Sequence, residues 1–496
     1  MPDAEAPQTA SGAAGHRAAT NTFTRALGEI VGKFASLAVF IALAREVGVS
    51  EFGTYVFAFS WVQVATMPIA LGAERYILHE VARNPGSMHD LLFNGIALKL
   101  LRAVPITALS FLLLELLGYG GTAREAVYIL TVGQLLEALS RTLFAVFNGV
   151  ERGTLVGTTI VIQRVGAAAL GLAAIAAGGG VVAVSTTFTV GTAIGFAVGL
   201  LFMRRSIGLP RPRLARDVRV SLARASRGYG LQDILGVMLA KVDVIVLSLL
   251  ATSTAVGLYG AAYRLLESTF FIGTAVVGAF AAMYTYLGRD TDPSVQTVFE
   301  RSVKLLVVLL LPCAVGFGLL ADPAVVLIFG EELEDAAVAL RLLAPTVVFM
   351  GIVMVGSSLL IARGRLQVLI VGGVAAVVIN MGLNVALIPP LEEAGAATAM
   401  LVTSVLLGGF ILIRAADAVD GVPWPRMLGA PMAAGAAMAV PLTMIPWALV
   451  ALAAGLAAYA GVYVLAERAI SPSDLRFVAD LARQRLPVLG LRRGEA

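Results

Sequence analysis

The chain has 496 residues, of which 58% are hydrophobic and only 14% are charged. Soluble domains carry roughly 25% charged residues, so this composition excludes a water-soluble fold. The net charge is only +4, and Cys313 is the sole cysteine, which excludes an intrachain disulfide framework.

The apolar pattern predicts an all-α polytopic membrane protein with about fourteen transmembrane helices, because each span needs about 20 apolar residues. Residues 1–24 are polar and are predicted to form a disordered cytosolic tail. Twelve spans is the alternative count, because Pro441 and Pro446 make the last junction tight. In chain order, the predicted spans cover residues 26–45, 53–73, 96–117, 126–147, 154–177, 181–203, 229–250, 257–287, 302–321, 338–361, 366–388, 395–415, 427–446 and 447–467.

Loop charges predict the orientation. Segment 204–228 contains eight arginines and one acidic residue, whereas segment 322–337 contains five acidic residues and no basic one. Basic loops stay in the cytoplasm, so 204–228 is expected inside and 322–337 outside. Arg45 and Arg124 are exceptions to this bias. The pattern predicts an inner (plasma) membrane protein with both termini in the cytoplasm.

An internal repeat is visible in the four lysines of the chain. Lys33 and Lys241 are 208 positions apart, and Lys99 and Lys304 are 205 apart. Transporters are often built from two related halves, so we expect two six-helix lobes. The predicted divisions are a tail (1–24), an N-lobe (25–203), a basic linker (204–228), a C-lobe (229–416), an extra helix pair (417–467) and a cytosolic tail (468–496).

Four short motifs follow one another along the chain. They are Ile41–Arg45 with Phe52–Tyr55, Val256–Arg264, Ile328–Glu332 with Ala336–Pro345, and Asn384–Pro389 with Gly395–Ala397. Together they resemble the oligosaccharide (polysaccharide repeat-unit) flippases of the multidrug/oligosaccharidyl-lipid/polysaccharide transporter superfamily. The resemblance covers residues of about 20–415. One departure is the acidic stretch 392–394, where the family has a glycine-bearing turn.

This resemblance implies a transporter that flips a polyprenyl-pyrophosphate-linked oligosaccharide from the inner to the outer leaflet for cell-surface polysaccharide biosynthesis. Alternating access of the two lobes would move the substrate through a central cavity lined by helices 1, 2, 7 and 8. The implied partners are the lipid-linked oligosaccharide, the bilayer and the polysaccharide assembly enzymes. Nucleic acid, cofactors, metal ions and catalytic residues are not expected.

Charged residues inside the predicted spans are candidates for function, because each costs about 2.5–3.5 kcal/mol to insert at mid-membrane. Cationic groups in such a cavity would attract a pyrophosphate. The predicted cationic residues are Arg25, Lys33, Lys241 and Arg264. The alternative interpretation is neutralisation within one helix, by pairs such as Glu29 with Lys33 or Arg264 with Glu267.

The carboxylates Glu29, Asp233 and Asp243 are candidates for ion coupling. Further polar residues lie on predicted helices 4 and 5, namely Glu137, Arg141, Gln163 and Arg164. Lys99 and Lys304 are expected to extend toward the membrane surface with their ammonium groups in water.

Two other functions are considered. The first is an ion-coupled drug or metabolite antiporter of the same superfamily, which would usually carry more carboxylates in its N-lobe. The second is a membrane glycan polymerase or ligase, which would normally carry a large outer loop with arginine and histidine. The string Asp290-Thr291-Asp292 spells a glycosyltransferase metal motif, but it is interpreted as a solvated turn in a short loop.

Overall fold

The computed structural model describes residues 8–208, 213–287, 294–419 and 422–470, and these residues are almost entirely helical. The string 290–292 lies outside them. Short 3₁₀ turns occur at Pro85–Ser87 and Glu331–Leu333. The helices are α1 (Gln8–Val47), α2 (Val49–Ala70), α3 (Ala73–Arg83), α4 (Met88–Leu116), α5 (Gly121–Gly149), α6 (Gly153–Ala176), α7 (Val181–Ser206), α8 (Arg216–Ala225), α9 (Arg227–Leu250), α10 (Ser253–Ser268), α11 (Phe270–Leu287), α12 (Ser294–Leu319), α13 (Ala321–Phe329), α14 (Ala336–Leu343), α15 (Thr346–Ala362), α16 (Leu366–Ala416), α17 (Trp424–Met444) and α18 (Ala448–Ile470).

The fold class predicted from the sequence is confirmed: the protein is an all-α polytopic membrane protein. Nine helices in the described ranges are long and apolar enough to cross a bilayer, or eleven if two bent pairs are each counted as one span. The bends are 42° between α2 and α3 and 41° between α14 and α15. The exact count of fourteen stays a prediction.

The difference from fourteen has physical causes. Helix α9 carries four charged residues, which set it apart from the nine apolar spans: Arg227, Asp233, Lys241 and Asp243. The predicted span 257–287 is interrupted at Thr269. Helix α16 has 51 residues and contains a non-helical break at Glu392, so it combines two predicted spans.

Helix α1 extends farther toward the N-terminus than the sequence predicted. It begins at Gln8, so residues 8–24 are helical rather than disordered, and residues 1–7 lie outside the described part. This extension is rich in alanine, the strongest helix former. Because this extension has no continuous apolar run, its sequence does not predict a membrane span. Its alanines nevertheless favour continuation of the helix.

The described chain divides into two compact units. Unit 1 comprises Met1–Arg264 (described from Gln8), Ile328–Ala336 and Gly373–Ala399. Unit 2 comprises Leu265–Leu327, Ala337–Gly372 and Met400–Ala496 (described to Ile470). Unit 1 contains helices from both predicted six-helix lobes, and the lobe boundaries remain a prediction.

Small residues bring the helices of unit 1 together. Gly191, Gly195 and Gly199 lie at four-residue spacing on α7 and face Ala167, Gln163 and Leu143 respectively. On the other side of α6, Gly28 of α1 approaches Gly157, where an added Cβ would lie 2.8 Å from the Gly157 carbonyl oxygen. Close backbone approach at small residues is the common packing mode of membrane helices, since lipid provides little hydrophobic drive between them.

Helix α2 lies against α9 and α10 over its whole length. At one end, a Cβ on Gly53 would collide with the Ser253 carbonyl, and a Cβ on Gly257 with the Val49 carbonyl. At the other end, Leu71 and Gly72 form a left-handed turn that contacts Gly230. Only glycine permits this backbone contact at each end.

The basic segment predicted as a linker contains a helix. Leu222 of α8 is completely buried among residues of α4 and α5, including Leu92 and Phe147. The side chain of Asn94 holds the segment before α8, because it donates to the Arg213 carbonyl at 2.9 Å and accepts from the Ala215 N–H at 2.9 Å. The segment is therefore docked on unit 1.

In unit 2, the last two helices pack on α12. Lys304 and Glu467 form a buried ion pair, with their side chains 7% and 0% exposed. The Tyr459 hydroxyl donates to the Val308 carbonyl at 3.0 Å. The expectation that Lys304 extends toward the membrane surface is therefore wrong, because a carboxylate from α18 satisfies its ammonium group inside the protein.

Candidate functional site

Three helices of unit 1 are joined by the buried side chain of Lys99. Its ammonium group on α4 donates to Glu74 of α3 and to the Ala138 carbonyl of α5, both at 2.6 Å. The Lys99 side chain is 1% exposed, so the expectation that it extends toward the membrane surface is wrong. A buried ammonium is stable only with such partners, and here they fix α3, α4 and α5 at one level.

Glu137, the residue directly before Ala138 on α5, receives several donors. This buried carboxylate of α5 accepts hydrogen bonds from Gln163 and, at 3.5 Å, from Arg164, both on α6. Arg141, on the same helix as Glu137, lies 3.6 Å from it through Nε. The Arg141 side chain nevertheless stays 54% exposed. These neighbours satisfy Glu137, and the Arg141 guanidinium extends beyond them.

Asp233 of α9 lies close to these groups. It accepts a 2.7 Å bond from Arg75 of α3, whose guanidinium also contacts Gln232 and the ring of Tyr229. Both side chains of the ion pair are partly exposed, 43% for Arg75 and 24% for Asp233. This candidate for ion coupling is thus paired with a cation from another helix.

The groups around Arg141 come from several helices. Glu29 of α1, Glu74 of α3 and Asp233 of α9 all lie within electrostatic range of its guanidinium. Gly32 packs on the stem of Arg164, where an added Cβ would lie 3.0 Å from Cγ, and this brings the Glu29–Lys33 turn of α1 beside α6. We call the set of Glu29, Glu74, Arg75, Lys99, Glu137, Arg141, Arg164 and Asp233 the charge cluster.

Two of the predicted cations lie against aromatic rings. The Lys241 ammonium is 4.9 Å from the centroid of the Tyr263 ring, and Lys241 is 8% exposed. The Arg264 guanidinium is 3.9 Å from the centroid of Phe40, and Tyr55 is within its electrostatic range. Such cation–π contacts are stronger when the cation is removed from water.

Asp243, the third coupling candidate, lies in a different environment. It is completely buried and accepts 2.7 Å hydrogen bonds from the Tyr259 hydroxyl and the Asn384 side-chain amide. Asn384 also donates to Asn380 at 3.0 Å. Among the described residues, the Asn384 oxygen and the Asn380 nitrogen have no hydrogen-bond partner. We call these four residues the Asp243 cluster.

The predicted site residues thus occupy separate places within unit 1. Glu29 and Asp233 belong to the charge cluster, Lys241 and Arg264 lie on aromatic rings, and Asp243 is bonded by neutral groups. Lys33 is half-buried on α1, four residues beyond Glu29. The side chain of Arg25 lies outside the described part of the structure.

Sequence reasoning gave too little weight to Arg141 and Glu137. The sequence shows that both are charged residues within a predicted span. The repeat of the lysines, however, favours helices 1 and 7 as the site. The available signal was the Glu137–Arg141 spacing of four together with the adjacent polar pair Gln163–Arg164 on the next helix. Two neighbouring spans that each carry polar residues at a similar depth indicate a shared polar contact.

Comparison with known proteins establishes the family. Residues 18–287, more than half of the chain, match the family profile described as "Polysaccharide biosynthesis protein". The chain belongs to this family.

The curated relatives of this chain are flippases. They confirm the resemblance to oligosaccharide flippases that the sequence motifs show. One is the probable low-salt glycan biosynthesis flippase Agl15 of Haloferax volcanii, which is 24% identical over 72% of this chain and 74% of its own length. Another is the lipid II flippase MurJ of Bacillus subtilis, 26% identical over 37% of this chain and 31% of its own length.

Solved structures show the same fold. A lipid II flippase MurJ in an inward closed conformation aligns with a TM-score of 0.70, covering 90% of this chain and 98% of its own at 13% identity. An inward-facing multidrug resistance MATE family transporter of the MOP superfamily aligns with a TM-score of 0.65, covering 78% and 94% at 14% identity. The fold is therefore that of this transporter superfamily.

Proposed function

We propose that the protein flips a lipid-linked oligosaccharide across the membrane for the synthesis of a cell-surface polysaccharide. Its curated relatives include proteins named as flippases of glycan biosynthesis and of lipid II. In the structure, the charge cluster is the observation that supports this proposal. It holds partly exposed cations, including Arg75 and Arg141, inside an otherwise apolar helical bundle.

The chemistry of the substrate explains why such cations are useful. A polyprenyl-pyrophosphate-linked glycan combines an anionic pyrophosphate, a polar glycan and a long apolar tail. Cations in a hydrated interior attract the anion, while the tail remains in lipid. Because binding must be released on the other side, the cations should bind the anion only moderately.

We propose alternating access of two six-helix lobes as the mechanism, with Arg25, Lys33, Lys241 and Arg264 as cations along the path. The cation–π contacts of Lys241 and Arg264 support a role in which each charge is kept at low solvent exposure. We also propose that the protein lies in the inner membrane with both termini in the cytoplasm and that its partners are polysaccharide assembly enzymes.

Ion coupling is assigned to Asp243 in preference to Glu29 and Asp233. Asp233 is already neutralised by Arg75, whereas the Tyr259 hydroxyl and the Asn384 amide, which donate to Asp243, are neutral. A buried carboxylate without a cationic partner favours uptake of a proton or a small cation. The Asn384 oxygen, which has no hydrogen-bond partner in the described part of the chain, would add a second oxygen ligand beside it.

The proposed function is tested by glycan export in a strain that lacks the chromosomal gene. Restored export of the lipid-linked glycan by the wild-type protein is expected, with loss of export for the double variant Lys33→Gln/Lys241→Gln at matched protein levels. Arg341→Gln is the control, because Arg341 forms an exposed ion pair with Asp322. Normal export in the deletion strain would contradict the proposal.

The antiporter alternative predicts a different phenotype. Deletion would then raise drug sensitivity and leave surface glycan unchanged. Measuring minimum inhibitory concentrations beside surface glycan in the same strains separates the two functions.

A further inference from the structure

We propose that Arg141 is the residue that binds the diphosphate of the substrate, an inference that rests on the proposed flippase function. Arg141 lies eight residues before the end of α5 at Gly149, which is about 12 Å along the helix axis. It is thus well inside the membrane-spanning segment, on the side of the basic segment 204–228.

Arg141 faces an interior space rather than lipid. Its side chain is 54% exposed, yet carboxylates from α1, α3 and α9 lie within electrostatic range. A side chain that faced lipid would have apolar neighbours on one side instead of acidic groups from three other helices. From this exposure and the surrounding charge we infer that Arg141 lines a polar space within unit 1.

The pairing inside the charge cluster leaves Arg141 available. Glu74 is bonded by Lys99 and Asp233 by Arg75. Glu137 is satisfied by Gln163 and Arg164 from the neighbouring helix. The contact between Arg141 and Glu137 is made by Nε at 3.6 Å. Nε is the guanidinium nitrogen nearest the side-chain stem, so this contact orients the group without using its terminal amino groups.

The shape of the guanidinium fits the ligand. Its terminal amino groups form a planar fork that matches two oxygens of a phosphate group. Because Nε faces Glu137, we infer that the terminal fork is the part of Arg141 that an anion in this polar space would meet. A lysine at this place would present a point charge and lose the two-oxygen contact.

Glu29 gives the inference a second, opposite test. This carboxylate of α1 is exposed and within electrostatic range of Arg141. It therefore competes with an anionic ligand for the guanidinium. Removing its charge should strengthen binding of a diphosphate, whereas removing the Arg141 charge should weaken it.

The experiment measures binding of farnesyl diphosphate to the purified full-length protein in detergent. Arg141→Gln is expected to weaken binding about tenfold or more, the effect of losing one charge-assisted contact. Arg141→Lys should fall in between, and Glu29→Gln should bind more tightly than wild type. Arg124→Gln is the matched control, because Arg124 lies on the same helix, is 44% exposed and pairs with Glu115 at 3.4 Å.

Farnesol binding serves as the fold control, since it lacks the anion and should be equal in all variants. Unchanged diphosphate affinity in Arg141→Gln, or no diphosphate binding by the wild type, would overturn the inference. The glycan export assay reports separately on the proposed function. Export by the wild type together with unchanged diphosphate binding in Arg141→Gln would leave the flippase standing and exclude Arg141 as its diphosphate ligand.

Discussion

At the residue scale, Asp243 differs from the carboxylates Glu74, Glu137 and Asp233 in the neutrality of its bonded partners. The Tyr259 hydroxyl and the Asn384 amide donate to it without supplying positive charge. Keeping an ionised carboxylate there is costly unless a cation or proton accompanies it. A transporter could use this cost to link ion movement to conformational change.

Asp243→Asn should therefore abolish the dependence of glycan export on the coupling ion while the protein still accumulates. The amide has nearly the same size and stays neutral, so the helix packing around it is expected to persist. Export is measured at several sodium concentrations and external pH values, with Asp417→Asn as control because Asp417 is exposed beside Arg414. Unchanged ion dependence in Asp243→Asn would contradict the coupling role.

At the element scale, glycines set the distance between α2 and α10. A Cβ at Gly257 would overlap the Val49 carbonyl, a backbone atom that no side-chain rotation can remove. The packing of α10 on α2 therefore requires direct backbone contact between the two helices.

Gly257→Val should push α10 away from α2 and reduce both thermal stability and transport. The readout is cross-linking between Val49→Cys of α2 and Ser253→Cys of α10 with a short bifunctional thiol reagent, in a Cys313→Ser background, because these residues lie at the glycine contacts between the two helices. Gly236→Ala on α9 is the matched control, because nothing lies within 4 Å of its added Cβ. Equal cross-linking yields in both glycine variants would show that the close approach is dispensable.

The ion pair between α12 and α18 provides a stability test in unit 2. Lys304→Met alone leaves Glu467 buried without its cation, which should cost about 3–5 kcal/mol. Adding Glu467→Leu removes the unpaired charge and should recover most of that loss. Thermal unfolding of the wild type and the two variants in detergent measures this, and equal melting temperatures for the single and double variants would refute the pairing.

At the scale of the whole molecule, the charge bias predicts which loops face the cytoplasm. Its two exceptions have partners: Arg45 donates to the Ile328 carbonyl at 2.9 Å, and Arg124 pairs with Glu115. An arginine bonded within the protein gives a weaker topological signal than a free one. The exceptions are therefore consistent with the predicted orientation.

Cysteine labelling tests that orientation. In a Cys313→Ser background, Glu334→Cys should react with an impermeant thiol reagent in intact cells, whereas Ser221→Cys should react only after permeabilisation. Both positions are exposed in the structure, whereas the nearby Ala337 is only 1% exposed and would be a poor probe. Labelling of Ser221→Cys but not Glu334→Cys in intact cells would invert the topology.

The sequence predicted most of the helices because hydropathy reports directly on residence in the bilayer. It did not predict the break at Thr269 or the docked helix α8, since local bends and a ten-residue surface helix depend on neighbours. The charge cluster could not be predicted from the sequence for a similar reason. Arg75 and Asp233 are 158 positions apart, and one sequence without homologues gives no indication that they meet.

The docking of α8 has a mechanical consequence. Ser226 is the single residue between α8 and α9, so a rotation of α9 relative to the packed α8 would pivot at Ser226. Helix α9 is about 36 Å long. A 10° rotation about Ser226 would therefore displace its far end by about 6 Å but Asp233 by only about 2 Å. The ion pair with Arg75 could then survive a motion that separates Gly53 from Ser253.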